Sequence, residues 1–95
     1  MKRYMLLHYG FEKPTPETMA AWTRWFEAVR AHTVEHGGFR GGRELSNEGA
    51  KELPFGAASI TGYSILRAES IEEAQRLAEG NPFIAGIRIY EITAH

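Results

Sequence analysis

The chain has 95 residues, of which 43% are apolar and 12% aromatic, with a formal net charge of −1 and no cysteine. This composition predicts one globular domain over residues 1–95, and it excludes disordered chains, disulfide scaffolds, cysteine zinc sites and the basic surfaces that bind nucleic acid. Because no stretch approaches the roughly 20 apolar residues that cross a bilayer, we expect a cytoplasmic protein that binds no membrane.

The first half of the chain predicts a strand and then a long helix. Residues 3–9 are aromatic-rich and almost continuously apolar, as in a strand that is covered on both faces. Residues 15–17 (Thr-Pro-Glu) favour a helix start, since Thr caps free backbone N–H groups, Pro fits the first helical position and Glu complements the helix dipole. Apolar residues then recur at three- and four-residue spacing, and residues 37–38 (Gly-Gly) predict the end of this helix.

The second half predicts three more strands and a small arm. Residues 39–45 form a glycine-rich second strand, and the turn at residues 46–50 leads into a small hairpin arm. Residues 59–67 alternate enough, and contain enough β-branched and aromatic side chains, to form a third strand. Residues 86–93 form the last strand.

A second helix is predicted between the last two strands. Ser70 and Glu73 match the capping box, in which each side chain accepts a hydrogen bond from the other residue's backbone N–H. Gly80 ends the helix with a left-handed cap, and the proline after Asn81 holds that residue extended.

The resulting element order is β-α-β-β-α-β. Two helices cannot cover both faces of a four-stranded sheet, so this order predicts an α+β, ferredoxin-like fold with an antiparallel sheet and both helices on one face. The other face needs a cover, because so short a domain buries only roughly 60 to 65% of its unfolded surface. We therefore expect a homodimer.

Four stretches of the chain resemble the YCII-related (YciI-like) domain family in their order and spacing. They are "YMLLHYG", "MAAWTRWF", "ITGYSILRAESIEEA" and "LAEGNPFIAGIRIYEI". The resemblance covers nearly the whole chain, apart from residues 46–57, and it implies a dimeric α+β barrel in which two ferredoxin-like units close their open sheet faces on each other. It also implies kinship with enzymes that act on small ring compounds, such as a dehydrochlorinase of chlorinated hydroquinones.

Two features of that family differ in this chain. Members suspected of catalysis have a histidine on the first helix, at a position that falls near Trp25 or Phe26 here. They often have Asp before a Pro-aromatic pair, where this chain has Asn81. An aromatic ring cannot abstract a proton, and an amide cannot hold the charge that orients a histidine. The resemblance therefore does not place the family's His–Asp pair on this chain.

His8 is the best candidate for a general base. It lies at the end of the apolar first strand, where a buried imidazole needs a hydrogen-bonding partner. The alternative is a structural histidine with no part in chemistry. Trp22 and Trp25 either wall a pocket for a flat apolar ligand or pack in the core. Tyr63 directs its hydroxyl to that pocket or to the partner subunit.

Arg88 and Asn81 complete the predicted substrate-binding set. An arginine among isoleucines needs a carboxylate, which Glu44, Glu91 or a ligand provides. We interpret Asn81 as the rim of a site, able to hydrogen-bond but not to carry charge. We expect that Asp at position 81 would change folding little.

Two short motifs match known sites but have simpler interpretations. His32 and His36 fit the H-x-x-E-H zinc pattern. They fall in the last turn of the predicted first helix, however, where helices fray and imidazoles favour the negative end of the dipole, so we expect no metal. Residues 40–43 (Arg-Gly-Gly-Arg) lack the spacing of a phosphate-binding loop and predict a bulged, twisted edge strand.

Two functions of different class follow. The first is a lyase or isomerase that acts on a small ring compound or carboxylate, with His8 as the acid/base and Tyr63, Arg88 and Asn81 positioning the substrate. The second is a non-catalytic ligand-binding or accessory dimer that lacks the family's His–Asp pair. Neither requires a cofactor.

Overall fold

The structure, a computed structural model, describes residues 1–94. Two helices, six strands and a short 3₁₀ turn make up this part of the chain. In chain order they are β1 (Lys2–Tyr9), α1 (Pro16–Ala28), the 3₁₀ turn (Arg30–His32), β2 (Thr33–Gly38), β3 (Gly42–Ser46), β4 (Gly49–Leu53), β5 (Ile60–Ala68), α2 (Ile71–Glu79) and β6 (Gly86–Ile92).

Four of the strands form one antiparallel sheet in the order β2-β5-β1-β6. This is the ferredoxin-like arrangement that the element order predicts, so the predicted fold class is confirmed. The remaining strands, β3 and β4, form a separate two-stranded hairpin, which we call the arm. Ser46 pairs with Gly49 at its tip, and Gly49 has a φ of +113°, a left-handed conformation that glycine adopts without strain.

Both helices begin at the residues that the sequence predicts. The Thr15 hydroxyl accepts a hydrogen bond from the Thr18 N–H at 3.1 Å, and the Ser70 hydroxyl accepts one from the Glu73 N–H at 3.2 Å. In the predicted capping box the Glu73 carboxylate would accept a hydrogen bond from the Ser70 N–H. It accepts one from the Glu69 N–H, one residue earlier, instead. Among residues 1–94, no helix is long and apolar enough to cross a membrane.

The predicted end of the first helix is wrong. Helix α1 ends at Ala28, and residues 33–38 form strand β2 along the edge of the sheet. Thr33 and Val34 are β-branched and favour a strand, and Thr33 and residues 35–38 pair with β5, with an irregularity at Val34. The predicted second strand, residues 39–45, is consequently wrong in its bounds, because this stretch links β2 to the arm and supplies most of β3 instead of an edge of the main sheet.

The core lies between the sheet and the two helices. The indole N–H of Trp25 on α1 donates to the carbonyl of Leu77 on α2 at 2.8 Å, so the helices are joined to each other as well as to the sheet. Both helices therefore cover the same face of the sheet. The buried apolar side chains of this core are Tyr4, Leu6, Trp25, Val29, Leu66, Ala68, Ala74 and Ala78.

The opposite face of the sheet is open and has an apolar strip. Strand alternation directs Met5 and Leu7 away from the helices, and Met5 lies between Ile65 and Tyr90 on the neighbouring strands. Tyr90 is 54% exposed. We call this surface the open face, and it is the surface that the sequence assigned to a second subunit.

Candidate functional site

A gap in the helix-covered face of the sheet lies beside His8. In strand register His8 pairs with Gly62, and Gly62 pairs with Gly38, so two successive positions in this row have no side chain. A Cβ at Gly62 would lie 2.9 Å from the Gly37 carbonyl oxygen, which explains why glycine is needed there. A Cβ at Gly38 would meet only the Thr61 carbonyl oxygen, at 3.8 Å. The two glycines thus leave open space next to the imidazole.

Helix α1 closes this gap with aromatic rings. Trp22 lies edge-on to His8, with ring centroids 5.2 Å apart, and Phe26, one turn further along α1, lies 4.5 Å from the ring of His36. The resulting cavity is open to solvent on one side and has a volume of about 450 Å³. Its lining residues are His8, Trp22, Phe26, His36, Gly37, Gly38, Thr61, Gly62, Tyr63 and Ser64. The cavity lies between the aromatic rings of α1 and the glycines of β2 and β5, an arrangement that suits a flat ligand.

The polar groups of the cavity come from three neighbouring strands. His8 is 5% exposed, and its Nε2 is hydrogen-bonded to the hydroxyl of Ser64 at 3.3 Å. Its Nδ1 is buried and has no hydrogen-bonding partner among the described residues. His36 lies directly opposite Ser64 across β2 and β5. Two imidazoles therefore flank one hydroxyl.

Burial keeps His8 uncharged. The loss of hydration lowers the pKa of its imidazole from 6.5 to about 4, and no carboxylate of residues 1–94 lines the cavity to oppose this effect. His8 is therefore neutral near pH 7, and it presents one nitrogen to the Ser64 side of the cavity. A neutral imidazole can donate or accept a hydrogen bond, but it is a weak base when its conjugate acid is this strong.

The structure brings together His8 and Trp22 of the predicted site. Trp25 contacts the His8 ring from the core side, with centroids 6.0 Å apart, and it does not line the cavity. Tyr63 is among the residues that line the cavity, since it lies between Gly62 and Ser64 in β5. Tyr63 and Arg88 both pair with Leu7, the neighbour of His8 in β1, so strand alternation directs their side chains to the opposite face.

Tyr63 and Arg88 have partners of their own on that face. The Tyr63 hydroxyl donates to the Glu35 carboxylate, which raises the pKa of the phenol, and its ring stacks on Phe39 at 5.4 Å. The guanidinium of Arg88 lies 4.8 Å from the centroid of the Tyr9 ring. Of the two carboxylates of this chain that the sequence offered to Arg88, Glu91 lies with its carboxylate 3.8 Å from the ammonium of Lys2 instead. The other predicted carboxylate, Glu44, is in the arm, where its residue pairs with Lys51 across the hairpin.

Asn81 is buried directly after α2. It is 5% exposed, and neither its side-chain oxygen nor its side-chain nitrogen has a partner among the described residues. The preceding Gly80 has a φ of −80°, so the predicted left-handed cap is wrong. A buried carboxylate without a partner is costly, and the burial of Asn81 therefore reverses our expectation that Asp would be tolerated at this position.

The two histidines of the zinc-like motif do not share a helical face. His32 lies in the 3₁₀ turn, where its Nδ1–H donates to the Arg67 carbonyl at 2.9 Å, and His36 lies in strand β2. Within residues 1–94, no cluster of three or more His, Cys, Asp or Glu side chains could hold a metal ion. The placement in a helix was wrong because the helix ends earlier.

The sequence interpretation missed His36, Ser64 and the paired glycines. The alternation Gly62-Tyr63-Ser64 could have indicated two of them, since positions 62 and 64 share a face with His8 once the register is known. His36 could not be found in this way, because the longer predicted helix hid strand β2.

A second, larger cavity lies between the arm and the open face. Its volume is about 710 Å³, and its walls are mostly apolar, with Leu7 and Ile60 from the sheet, Leu53 from the arm, and Phe39 and Phe55 from the links to it. It is separate from the His8 cavity, which lies on the other face of the same strands.

Comparison with known proteins supports the fold. No protein-family model matches the chain, and no curated protein matches it. A solved structure of 5-chloro-2-hydroxyhydroquinone dehydrochlorinase (TftG) from Burkholderia phenoliruptrix, in complex with 2,5-dihydroxybenzoquinone, matches with a TM-score of 0.62 and 16% identity over 98% of this chain and 95% of that one. The shared fold is that of the dimeric α+β barrel. At this identity the likeness shows the fold alone.

Proposed function

We propose that this chain belongs to the YCII-related family, and that it binds a small planar ring compound in the His8 cavity and moves a proton on it, as a lyase or isomerase. The observation that carries the proposal is the two-glycine gap beside His8, roofed by Trp22 and Phe26. Its polar groups are the imidazoles of His8 and His36 and the hydroxyls of Ser64 and Thr61. The solved dehydrochlorinase with this fold is named for its action on a small ring compound, and its complex contains another.

In this proposal His8 acts through Nε2, the nitrogen that is hydrogen-bonded to Ser64. A ligand hydroxyl or ring C–H beside that nitrogen would transfer its proton to the imidazole directly or through the Ser64 hydroxyl. Trp22 and Phe26 would hold the ring in place and keep water away. Tyr63 and Arg88 have no part in this step, because they lie behind the sheet.

A specific observation favours a second candidate, a ligand-binding dimer without catalysis. Among residues 1–94, His8 has no carboxylate partner at Nδ1 to stabilise an imidazolium, and a conjugate acid with a pKa of about 4 makes a weak base at neutral pH. In that case the cavity binds the same class of ligand without changing it.

Binding in this cavity is tested by filling it. Valine at position 38 would project into open space beside His8, so Gly38→Val should weaken binding of 2,5-dihydroxybenzoquinone at least tenfold in isothermal titration calorimetry. Gly56→Val is the matched control, because a Cβ there has no neighbour within 4 Å among the described residues and Gly56 lies outside the His8 cavity. Gly56 lines the cavity beside the arm, so a loss of affinity in this variant instead would place the ligand there. Equal affinity in all three proteins would refute binding at this site.

Catalysis is tested by exchange of the ring hydrogens. If His8 moves a proton, wild-type protein in heavy water should speed deuterium incorporation into the bound ring, measured by proton NMR, and His8→Gln should not. Binding without faster exchange would favour the non-catalytic dimer.

We also propose that the protein is a homodimer in which the open face meets its counterpart. The apolar row of Met5, Leu7 and Tyr90 and the cavity beside the arm have the character of an interface. The fold shared with the dehydrochlorinase is a dimeric barrel, in agreement with this arrangement.

A further inference from the structure

His36 is a second imidazole on the wall of the His8 cavity, and its environment differs from that of His8. His36 is exposed, whereas His8 is buried. The His36 ring is tilted by 32° against the Phe26 ring at a centroid distance of 4.5 Å. One face of the ring is therefore held by α1 while the rest of the side chain is open to solvent, which places His36 at the mouth of the cavity.

Ser64 connects the two imidazoles. Its hydroxyl is 3.3 Å from Nε2 of His8, and in the sheet it lies directly opposite His36. The Cβ atoms of residues paired in this way are about 4.5–5.5 Å apart. A ring that lies over Ser64 would consequently meet His8 on its inner side and His36 on its outer side.

The charge on this wall depends on His36. The groups that face it are the rings of Trp22 and Phe26 from α1, the Ser64 hydroxyl from β5 and the neutral imidazole of His8 from β1. Its chain neighbour Glu35 accepts the hydrogen bond of the Tyr63 hydroxyl behind the sheet. No Asp, Glu, Lys or Arg lines the cavity within residues 1–94.

We propose that protonated His36 binds an anionic oxygen of the ligand at the mouth of the cavity. A charged imidazole beside an oxyanion forms a charge-assisted hydrogen bond, which is stronger than a bond between neutral partners. The inference rests on the proposed function, since it requires a ligand in the His8 cavity. The inference adds that the cavity selects negatively charged rings over neutral ones, and that His36 rather than His8 makes this selection.

This role predicts a pH-dependent affinity. Imidazoles ordinarily change charge between pH 5 and 8, so an anionic ring should bind more tightly as the pH falls through this range. 2,5-Dihydroxybenzoquinone is a suitable probe, because a hydroxyquinone is a vinylogous carboxylic acid and stays ionised. Hydroquinone, a similar ring with uncharged hydroxyls, should bind with little dependence on pH.

The experiment compares wild type, His36→Gln, His36→Lys and His32→Gln by titration calorimetry. Wild type should bind the anion about fivefold more tightly near pH 6 than near pH 8, whereas His36→Gln should change less than twofold. His36→Lys carries a fixed charge and should bind with the same affinity at both pH values. His32→Gln is the control, because that imidazole lies outside the cavity and its loss should leave the wild-type behaviour intact.

The outcomes separate this inference from the proposed function. If Gly38→Val abolishes binding but His36→Gln keeps the full pH dependence, the cavity binds the ligand and the role of His36 is wrong. If wild type binds hydroquinone with the same pH dependence as the anion, or does not bind the anion at either pH, the inference is also wrong. Binding that Gly38→Val leaves unchanged defeats the proposed function itself.

Discussion

His8 couples folding to pH. Burial lowers the pKa of this imidazole from 6.5 to about 4, so the unfolded chain takes up a proton at a pH where the folded chain does not. The stabilisation that comes with the neutral imidazole is present above pH 6.5 and is lost as the pH falls through 4. The difference between the two pKa values corresponds to about 3 kcal/mol of unfolding free energy.

Urea unfolding between about pH 7 and pH 4 measures this loss. The difference in stability between wild type and His8→Gln should shift by about 3 kcal/mol across this range, because glutamine does not titrate. Thr23→Gln changes an exposed position on α1 and removes no titratable group, so its stability should follow that of wild type across this range. A wild type and a His8→Gln variant that lose stability in parallel would show that His8 titrates normally in the folded state.

Asn81 should not tolerate an acid. Its amide is buried and has no partner in the described part of the chain, so Asn81→Asp should lower the unfolding free energy near pH 7 by at least about 2 kcal/mol. Burial raises the pKa of such a carboxyl, and the folded state then binds more protons than the unfolded state. The loss should therefore shrink as the pH falls toward about 4, the opposite direction to the effect of His8.

Asn81→Ala is the control for this prediction. Alanine removes both unpartnered polar atoms and introduces no charge, so its stability relative to wild type should not depend on pH. If Asn81→Asp were as stable as wild type at neutral pH, the side chain would be reachable by water. Asn81 would then be part of a site rim, as the sequence suggested.

The face that His8 occupies could not be predicted from the sequence. Residues 3–9 are apolar at both odd and even positions, so alternation gives no sign of which side meets the helices. Tyr4 and Leu6 pack against the helices, and His8 lies on the same side of the strand because it follows them at two-residue spacing. This packing is what shows which face His8 occupies. For the same reason the sequence did not show that the side chains of Tyr63 and Arg88 lie on the other side of the sheet from His8, since register decides which residues share a face.

At the scale of elements, the starts of helices were easier to predict than their ends. Thr15 and Ser70 act as N-caps through local hydrogen bonds, which the local sequence specifies. The end of α1 depends on pairing between residues 33–38 and β5, about 30 positions along the chain. The apolar spacing that continued to Thr33 concealed this change from helix to strand.

The paired glycines of the cavity should differ in their tolerance of substitution. In Gly62→Ala the added Cβ would lie 2.9 Å from the Gly37 carbonyl oxygen, whereas in Gly38→Ala it would lie 3.8 Å from its nearest neighbour. We expect the first variant to lose about 1–3 kcal/mol of unfolding free energy and the second to lose little. Thermal or urea unfolding of both variants tests this difference, and equal stability would contradict the close strand approach.

At the scale of the whole molecule, the open face and the arm lack support from the rest of the chain. The arm pairs only its own two strands, and Leu45 at its outer end is 83% exposed. Isolated two-stranded hairpins are marginally stable in water. The element order predicted one uncovered sheet face. The position and length of the arm do not follow from that order, because they depend on turn residues, which constrain only local structure.

A charge on the open face should separate the proposed dimer. Tyr90 and Met19 are almost equally exposed, at 54% and 55%, but Tyr90 lies on the open face and Met19 on the outer side of α1. Tyr90→Glu should therefore give the monomer mass in light scattering at micromolar concentration, because it would bury a carboxylate at the interface. Met19→Glu should keep twice the chain mass, as wild type does. If wild type itself had the monomer mass, the uncovered face would have to be covered by another partner or exposed to water.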